Sequence, residues 1–400
     1  MQSSAVAESL TAFRFQLARL LVVISFVWPF ININHFFPQS DVEINFLPVF
    51  VASMMMPEVL AADGIALTLL AATLGVSVLW GSENAVLRVV IAAVPCLFLL
   101  NFHQYCLRRG RDLIPCSIAY RGLQLFVAFS FLQWFSFYIF SVIPGWLTEA
   151  LSTIVPRYSG EPYDEFGVRG VQGWASEPAA GAMMCLSFAV VAAQQNPKRH
   201  LPTLVLLALL LPVNKSVYAI GLLAMWGLVY LFSLRSKWYA ITGLSLLSLT
   251  LFVFISTSSR IEDFLTSAVI YGIEPESNFQ LFRINQIIYP LTFFPRIYKP
   301  IWLFDRYIEP IGLLPVLLGY GSVAGLAFYG RLAFFKFPLR RVNSVLLVFT
   351  TLFVLSFLVP PDLVPAIVGF AYALTPTSEV APRITWYEKL IRKAQQAYAT

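Results

Sequence analysis

Arg169 and Glu177 stand at the two ends of the run Arg169-Gly170-Val171-Gln172-Gly173-Trp174-Ala175-Ser176-Glu177, with Pro178 next. A guanidinium, a carboxylate and two intervening glycines supply an anion-binding donor, a proton acceptor and backbone that a ligand can approach closely. Pro178 suits the first turn of a helix, where its missing N–H is harmless, so the order predicts a helix start at Glu177. The Glu177 carboxylate would then lie near the positive end of the helix dipole. Ser, Thr, Asp and Asn cap helices better than Glu, so capping alone does not account for this choice. Two readings stand: a salt bridge closing the loop onto the helix, or an acid and a cation facing a substrate.

Lys215 is the second candidate, in the tight turn Val213-Asn214-Lys215-Ser216. Apolar sequence flanks it and no acid neighbours it. Its ammonium either snorkels to the surface or points into the cavity proposed for Arg169, as a phosphate partner or a counter-ion to Glu177. The third set is basic: Arg260, Arg283, Arg296, Lys299 and Arg306 in a late loop, joined by Arg157 in the earlier one. Guanidinium donates paired, coplanar N–H groups to phosphate, so several arginines on one face fit a diphosphate or another anionic head group. Glu262, Asp263, Glu274 and Glu276 are interleaved, and a solvated, charge-balanced loop is the other reading.

Several chemistries have no support. His35, His103 and His200 are scattered, with no pattern for a His-based metal site or a Ser/His/Asp triad. The four cysteines form no CxxC pair, so neither zinc nor a disulfide framework is signalled. A DxD pair for a metal-bound nucleotide sugar and a Walker motif are both missing. A transfer reaction here needs no cofactor and draws on an already activated, lipid-borne substrate.

The elements that carry these residues are membrane spans. The chain has 400 residues, 58% of them hydrophobic and 12% charged, with mean hydropathy +0.74. Soluble domains carry about 25% charged residues, so the expected class is an all-α polytopic membrane protein forming one integral domain over residues 1–400. Spans are predicted at 15–33, 44–62, 64–80, 85–104, 117–144, 176–195, 200–213, 216–234, 238–257, 307–330, 342–360 and 362–377. The segments 200–213 and 362–377 are short. No cleavable signal pattern precedes the first span.

Basic residues in short loops set orientation. With the N-terminus cytoplasmic, seventeen of the 27 Lys and Arg fall on the inner face, the inner loops at 105–116, 196–199, 235–237 and 331–341 are basic, and the first two outer loops are acidic. The net charge of +6 therefore reports topology and does not point to nucleic acid. Both termini are predicted cytoplasmic. Two long outer loops remain, 145–175 and 258–306. The second holds an amphipathic stretch around Arg283, and 381–400 reads as a basic helix on the inner leaflet.

Twelve spans, the outer run from Arg169 to Pro178, the Asn214-Lys215-Ser216 turn and a second arginine-bearing outer loop together resemble the O-antigen polymerase and ligase superfamily, the Wzy-type polysaccharide polymerases in particular. The resemblance implies a metal-independent membrane glycosyltransferase with the C-type fold, in a bacterial inner membrane. It implies transfer of a glycan from undecaprenyl diphosphate to another lipid-linked repeat unit at the periplasmic face, and a chain-length regulator as a possible partner. By resemblance, Arg169 and Arg283 engage the diphosphate or donor sugar. Glu177 is the candidate base, and Lys215 and Arg260 face the leaving diphosphate. Related ligases carry a functional histidine in the late outer loop; none occurs between 258 and 306, which favours polymerase over ligase. The paired R-x10-G repeats of some polymerases are not matched at Arg157 or Arg283. A lipid-linked-sugar flippase or transporter is the reading from a different class. The polymerase reading requires Arg169, Glu177, Lys215, Arg260 and Arg283 to converge on one outer cavity.

Overall fold

A computed structural model describes residues 2–29, 46–80, 83–140, 163–164, 167–168, 170–175, 178–214, 241–242, 245, 248, 313–332 and 364–374. Among these the chain is helical apart from one minimal hairpin. The helices are α1 (Gln2–Val27), α2 (Leu47–Met55), α3 (Pro57–Leu60), α4 (Gly64–Trp80), α5 (Glu83–Arg108) and α6 (Cys116–Phe140). After them come α7 (Pro178–Gln195), a 3-10 turn (Pro197–Arg199), α8 (His200–Asn214), α9 (Leu313–Gly330) and α10 (Val364–Leu374). The hairpin pairs β1 (Tyr163–Asp164) with β2 (Gly167–Val168) antiparallel, Tyr163 opposite Val168.

Two helical segments among the described residues, Ser9–Val27 and Val86–Arg108, are long and apolar enough to cross a membrane. Shorter apolar helices run over Gly64–Leu79, Ala180–Gln195, Leu201–Leu210, Val316–Gly330 and Val364–Ala373. Their outward faces are apolar too. Leu201, Val205 and Leu209 form an exposed i, i+4, i+8 stripe on α8, Leu125 and Leu132 another on α6, and Phe13, Leu20 and Ile24 are exposed on α1. Water-facing helices put polar residues on that side. Lipid accounts for these stripes without penalty.

The helices pack closely. α9 lies on α4, α10 on α7, and α7 and α8 both lie on α6, while α5 contacts α4, α9 and α10. One expected span is divided. The segment 44–62 forms α2 and α3 with Met56 between them at φ −128°, ψ 58°. Pro57 has no N–H to give to a helix, and its ring drives the preceding residue out of the α region. α9 is also interrupted, at Ser322 with φ 60° and ψ −144°. The expected spans 216–234 and 342–360, nearly all of 238–257, the amphipathic stretch in 258–306 and the tail 381–400 lie outside the described residues.

Candidate functional site

The predicted helix start is observed: α7 begins at Pro178. The segment before it, Gly170–Ala175, folds back among the helices. Gly170, Val171, Gln172, Gly173 and Ala175 are buried, and Trp174 is half-buried. A loop inside an apolar bundle must find partners for its peptide groups, and three helices supply them.

From α6, the Gln133 side chain clamps one peptide unit. Its Nε2 donates to the Gly173 carbonyl at 2.9 Å, and Gly173 N–H donates to Gln133 Oε1 at 2.9 Å. Gly173 has φ +64°, and a Cβ there would lie 2.8 Å from Phe126 Cε1, so both conformation and space require glycine. From α1, the Val27 carbonyl accepts the Trp174 indole N–H at 3.2 Å. The Trp174 ring packs against Trp28, centroids 6.3 Å apart, and edge-on to Phe126 at 4.7 Å.

From α8 come both backbone and side chain. Val171 N–H donates to the Val213 carbonyl at 2.9 Å. Asn214 Nδ2 donates to the carbonyls of Val171, at 3.1 Å, and Pro178, at 2.9 Å. The last carbonyls of a helix lack intrahelical donors. Here the loop supplies one, which explains how a segment as short as 200–213 ends inside the bundle. Gln133 lies seven residues before Phe140, the end of α6, so the loop sits ~10 Å inside that end of the bundle at 1.5 Å per residue. It is re-entrant.

Among the described residues, several positively charged side chains lie at the opposite end. Arg19 Nε donates to the Leu113 carbonyl at 3.2 Å. Gln195 Nε2, at the far end of α7 from the loop, donates to the Ile114 carbonyl at 2.6 Å. Arg199 lies 3.9 Å from the Tyr120 ring centroid, and Arg331 pairs with Asp63 at 3.3 Å. Asp112, in the exposed loop there, has its carboxyl lifted above the ordinary range by desolvation, against the pull of Arg19.

Seven residues were expected to act: Arg157, Arg169, Glu177, Lys215, Arg260, Arg283 and Arg296. All lie outside the described residues. What the structure brings together is the chain next to three of them. Arg169 stands two before Val171, Glu177 one before Pro178 and Lys215 one after Asn214, and Val171, Pro178 and Asn214 share one hydrogen-bonded junction. Sequence reasoning missed Gln133 and Ser130. Their signal was two polar residues three apart, on one face of the mostly apolar second half of α6. Two buried polar atoms at the loop have no hydrogen-bond partner, Gln172 Nε2 and Ser130 Oγ. Among the described residues no cluster of His, Cys, Asp and Glu could hold a metal ion.

No protein-family model, curated protein or solved structure matches this chain.

Proposed function

We propose that the chain is a polytopic glycosyltransferase of about twelve spans that polymerises lipid-linked polysaccharide repeat units at the outer face of a bacterial inner membrane. The observation that supports it is the Asn214 junction. Two motifs that the sequence separates, the Arg169–Pro178 run and the Asn214-Lys215-Ser216 turn, are joined by Asn214 binding Val171 and Pro178. A substrate held by one stretch is then within reach of the other. The loop between them is buried in protein, the condition under which irregular backbone is tolerated at membrane depth.

In this reading Glu177 takes the proton from a hydroxyl on the non-reducing end of the acceptor glycan. The freed oxygen forms a bond to the anomeric carbon of the donor glycan, and the bond from that carbon to the diphosphate breaks. Undecaprenyl diphosphate departs with the bonding pair. Arg169, Lys215 and the late-loop arginines Arg260, Arg283 and Arg296 hold its developing charge, a preorganised stabilisation worth several kcal/mol in comparable sites. Arg157 adds charge at the mouth. No metal or cofactor takes part.

The test is to express Glu177→Gln and Arg169→Ala at native level and examine the glycan made. Both proteins are expected to insert normally, and single repeat units are expected to accumulate on the lipid acceptor. Normal long-chain glycan from either variant would falsify that residue's role. Accumulation of uncapped acceptor instead would identify a ligase.

A second reading, a lipid-linked-sugar flippase or transporter, is favoured by one feature. α9 is broken at Ser322, and Ser77 Oγ on α4 donates to the Tyr320 carbonyl beside the break at 2.9 Å. Interrupted helices form substrate sites in many transporters. Accessibility of Lys215 and Arg283 from both membrane sides in turn would select this reading, and accessibility from the outer side only would exclude it.

A further inference from the structure

α5 ends in a Schellman motif. Arg111 N–H donates to the Cys106 carbonyl at 3.0 Å and Gly110 N–H to the Leu107 carbonyl at 2.9 Å, with Gly110 at φ +63°. This cap fixes the backbone of Arg109 and Arg111. Both guanidiniums then meet α1: Arg109 lies 5.4 Å and Arg111 5.8 Å from the centroid of the one Phe15 ring. Arg109 also lies 4.5 Å from the Tyr105 centroid. Arg19, one turn along α1 from Phe15, is tied by Nε to the Leu113 carbonyl of the same loop. Its terminal nitrogens remain as further donors.

Orientation of a span requires positive charge near a helix end, not two guanidiniums on one ring with a third fixed one turn along the facing helix. Like charges this close repel, and the one carboxylate beside them, Asp112, does not balance three guanidiniums. Such a group of forked donors is complementary to a phosphate. Next to it the surface is apolar: Leu10, Phe13 and Leu20 on α1 and Leu107 on α5 are exposed. Charge beside an exposed apolar stripe matches a molecule with an anionic head and hydrocarbon tails, where a soluble phosphate would use the charge alone.

We propose that Arg19, Arg109 and Arg111 bind the phosphate of an anionic glycerophospholipid at the end of the bundle opposite the re-entrant loop, its acyl chains lying along Phe13, Leu20 and Leu107.

The experiment uses the full-length protein, purified in a neutral detergent. Thermal unfolding is followed while phosphatidylglycerol, phosphatidylcholine or inorganic phosphate is added. Phosphatidylglycerol is expected to raise the unfolding midpoint by several degrees at concentrations where phosphatidylcholine does not. R109Q/R111Q is expected to weaken that response at least tenfold in lipid concentration. R108Q, which removes a neighbouring charge outside the ring platform, is expected to leave it unchanged. R109K/R111K keeps the charge and loses the forked donors; it is expected to weaken the response about threefold and serves if the glutamine variant does not fold. An equal loss in R108Q would overturn the proposal in favour of diffuse surface charge. So would an equal response to phosphatidylcholine, or a wild-type response in the lysine variant. A response to inorganic phosphate as large as that to phosphatidylglycerol would assign the site to a soluble anion instead.

Discussion

Asn214 donates its side-chain amide to the carbonyl of Val171 at 3.1 Å, although forty-three residues of chain separate them. The same nitrogen donates to Pro178 at 2.9 Å. One fully buried amide therefore holds the end of α8, the re-entrant loop and the first turn of α7 in register. Any chemistry done by Arg169, Glu177 and Lys215 together depends on that register.

Asn214→Asp is expected to be worse than Asn214→Ala. Alanine removes both donors and leaves two carbonyls unsatisfied, a loss of about 1–3 kcal/mol. Aspartate keeps the shape and replaces the donor by an oxygen that repels both carbonyls, with a desolvated charge added. Unfolding midpoints of the purified protein check the order. An aspartate variant as stable as wild type would show that the amide does not tie the three segments.

Gln133 and Gly173 form a second fixture, and their substitutions are expected to be coupled through Phe126. Gly173→Ala costs about 1–2 kcal/mol for positive φ alone, and its methyl also meets the Phe126 ring. Adding Phe126→Leu is expected to relieve the collision while leaving the backbone strain, so the pair should be non-additive. Gln133→Leu fills the same space without pairing Gly173 N–H or C=O and should lose about 2 kcal/mol or more. Additivity of Gly173→Ala with Phe126→Leu in a double-mutant cycle would contradict the packing.

The described helices were legible from hydropathy, because long apolar runs mark them: 64–80 and 178–195 fall within a few residues of the expected spans. Pro57 was a readable break that run length concealed. Ser322 was not readable, since Gly321 beside it is the residue a positive φ favours. The irregular backbone before Pro178 was visible in the composition of the run. Its partner Gln133 was not, because the pairing spans forty residues of chain and lies in backbone atoms that every residue type shares. The shortness of α8 showed in the sequence, but its reason, a loop donating to Val213, is a tertiary fact.

Asp112 predicts a pH effect of definite sign. Burial raises its carboxyl above the ordinary value, so the folded protein binds that proton more tightly than the unfolded chain. Its contribution to stability is then full below the ordinary carboxylate pKa and is lost as pH rises through the raised value. Asp112→Asn should remove this dependence. Between about pH 4 and pH 7, the wild-type unfolding midpoint should fall relative to that of the variant. A wild-type protein that gained on the variant over this range would reverse the sign and place a stronger cation at Asp112 than Arg19.

Asp63 has two tasks, and its variants separate them. Oδ1 accepts the Ala66 N–H at 3.0 Å, capping α4, and also faces Arg331 at 3.3 Å. Asp63 is 8% exposed and the Arg331 side chain 28%, so the pair is screened on one side only. Asp63→Asn keeps a good cap and loses the charge, and should cost about 1 kcal/mol. Arg331→Gln takes the guanidinium from a nearly buried carboxylate and should cost more, about 1–2 kcal/mol. Asp63→Ala loses cap and pair together and should be the least stable of the three. The reversal Asp63→Arg with Arg331→Asp restores opposite charges but places no acceptor at the start of α4, so it should not recover stability. Recovery by the reversed pair, measured as a return of the unfolding midpoint, would show that charge alone joins α4 to α9 and that the cap contributes nothing.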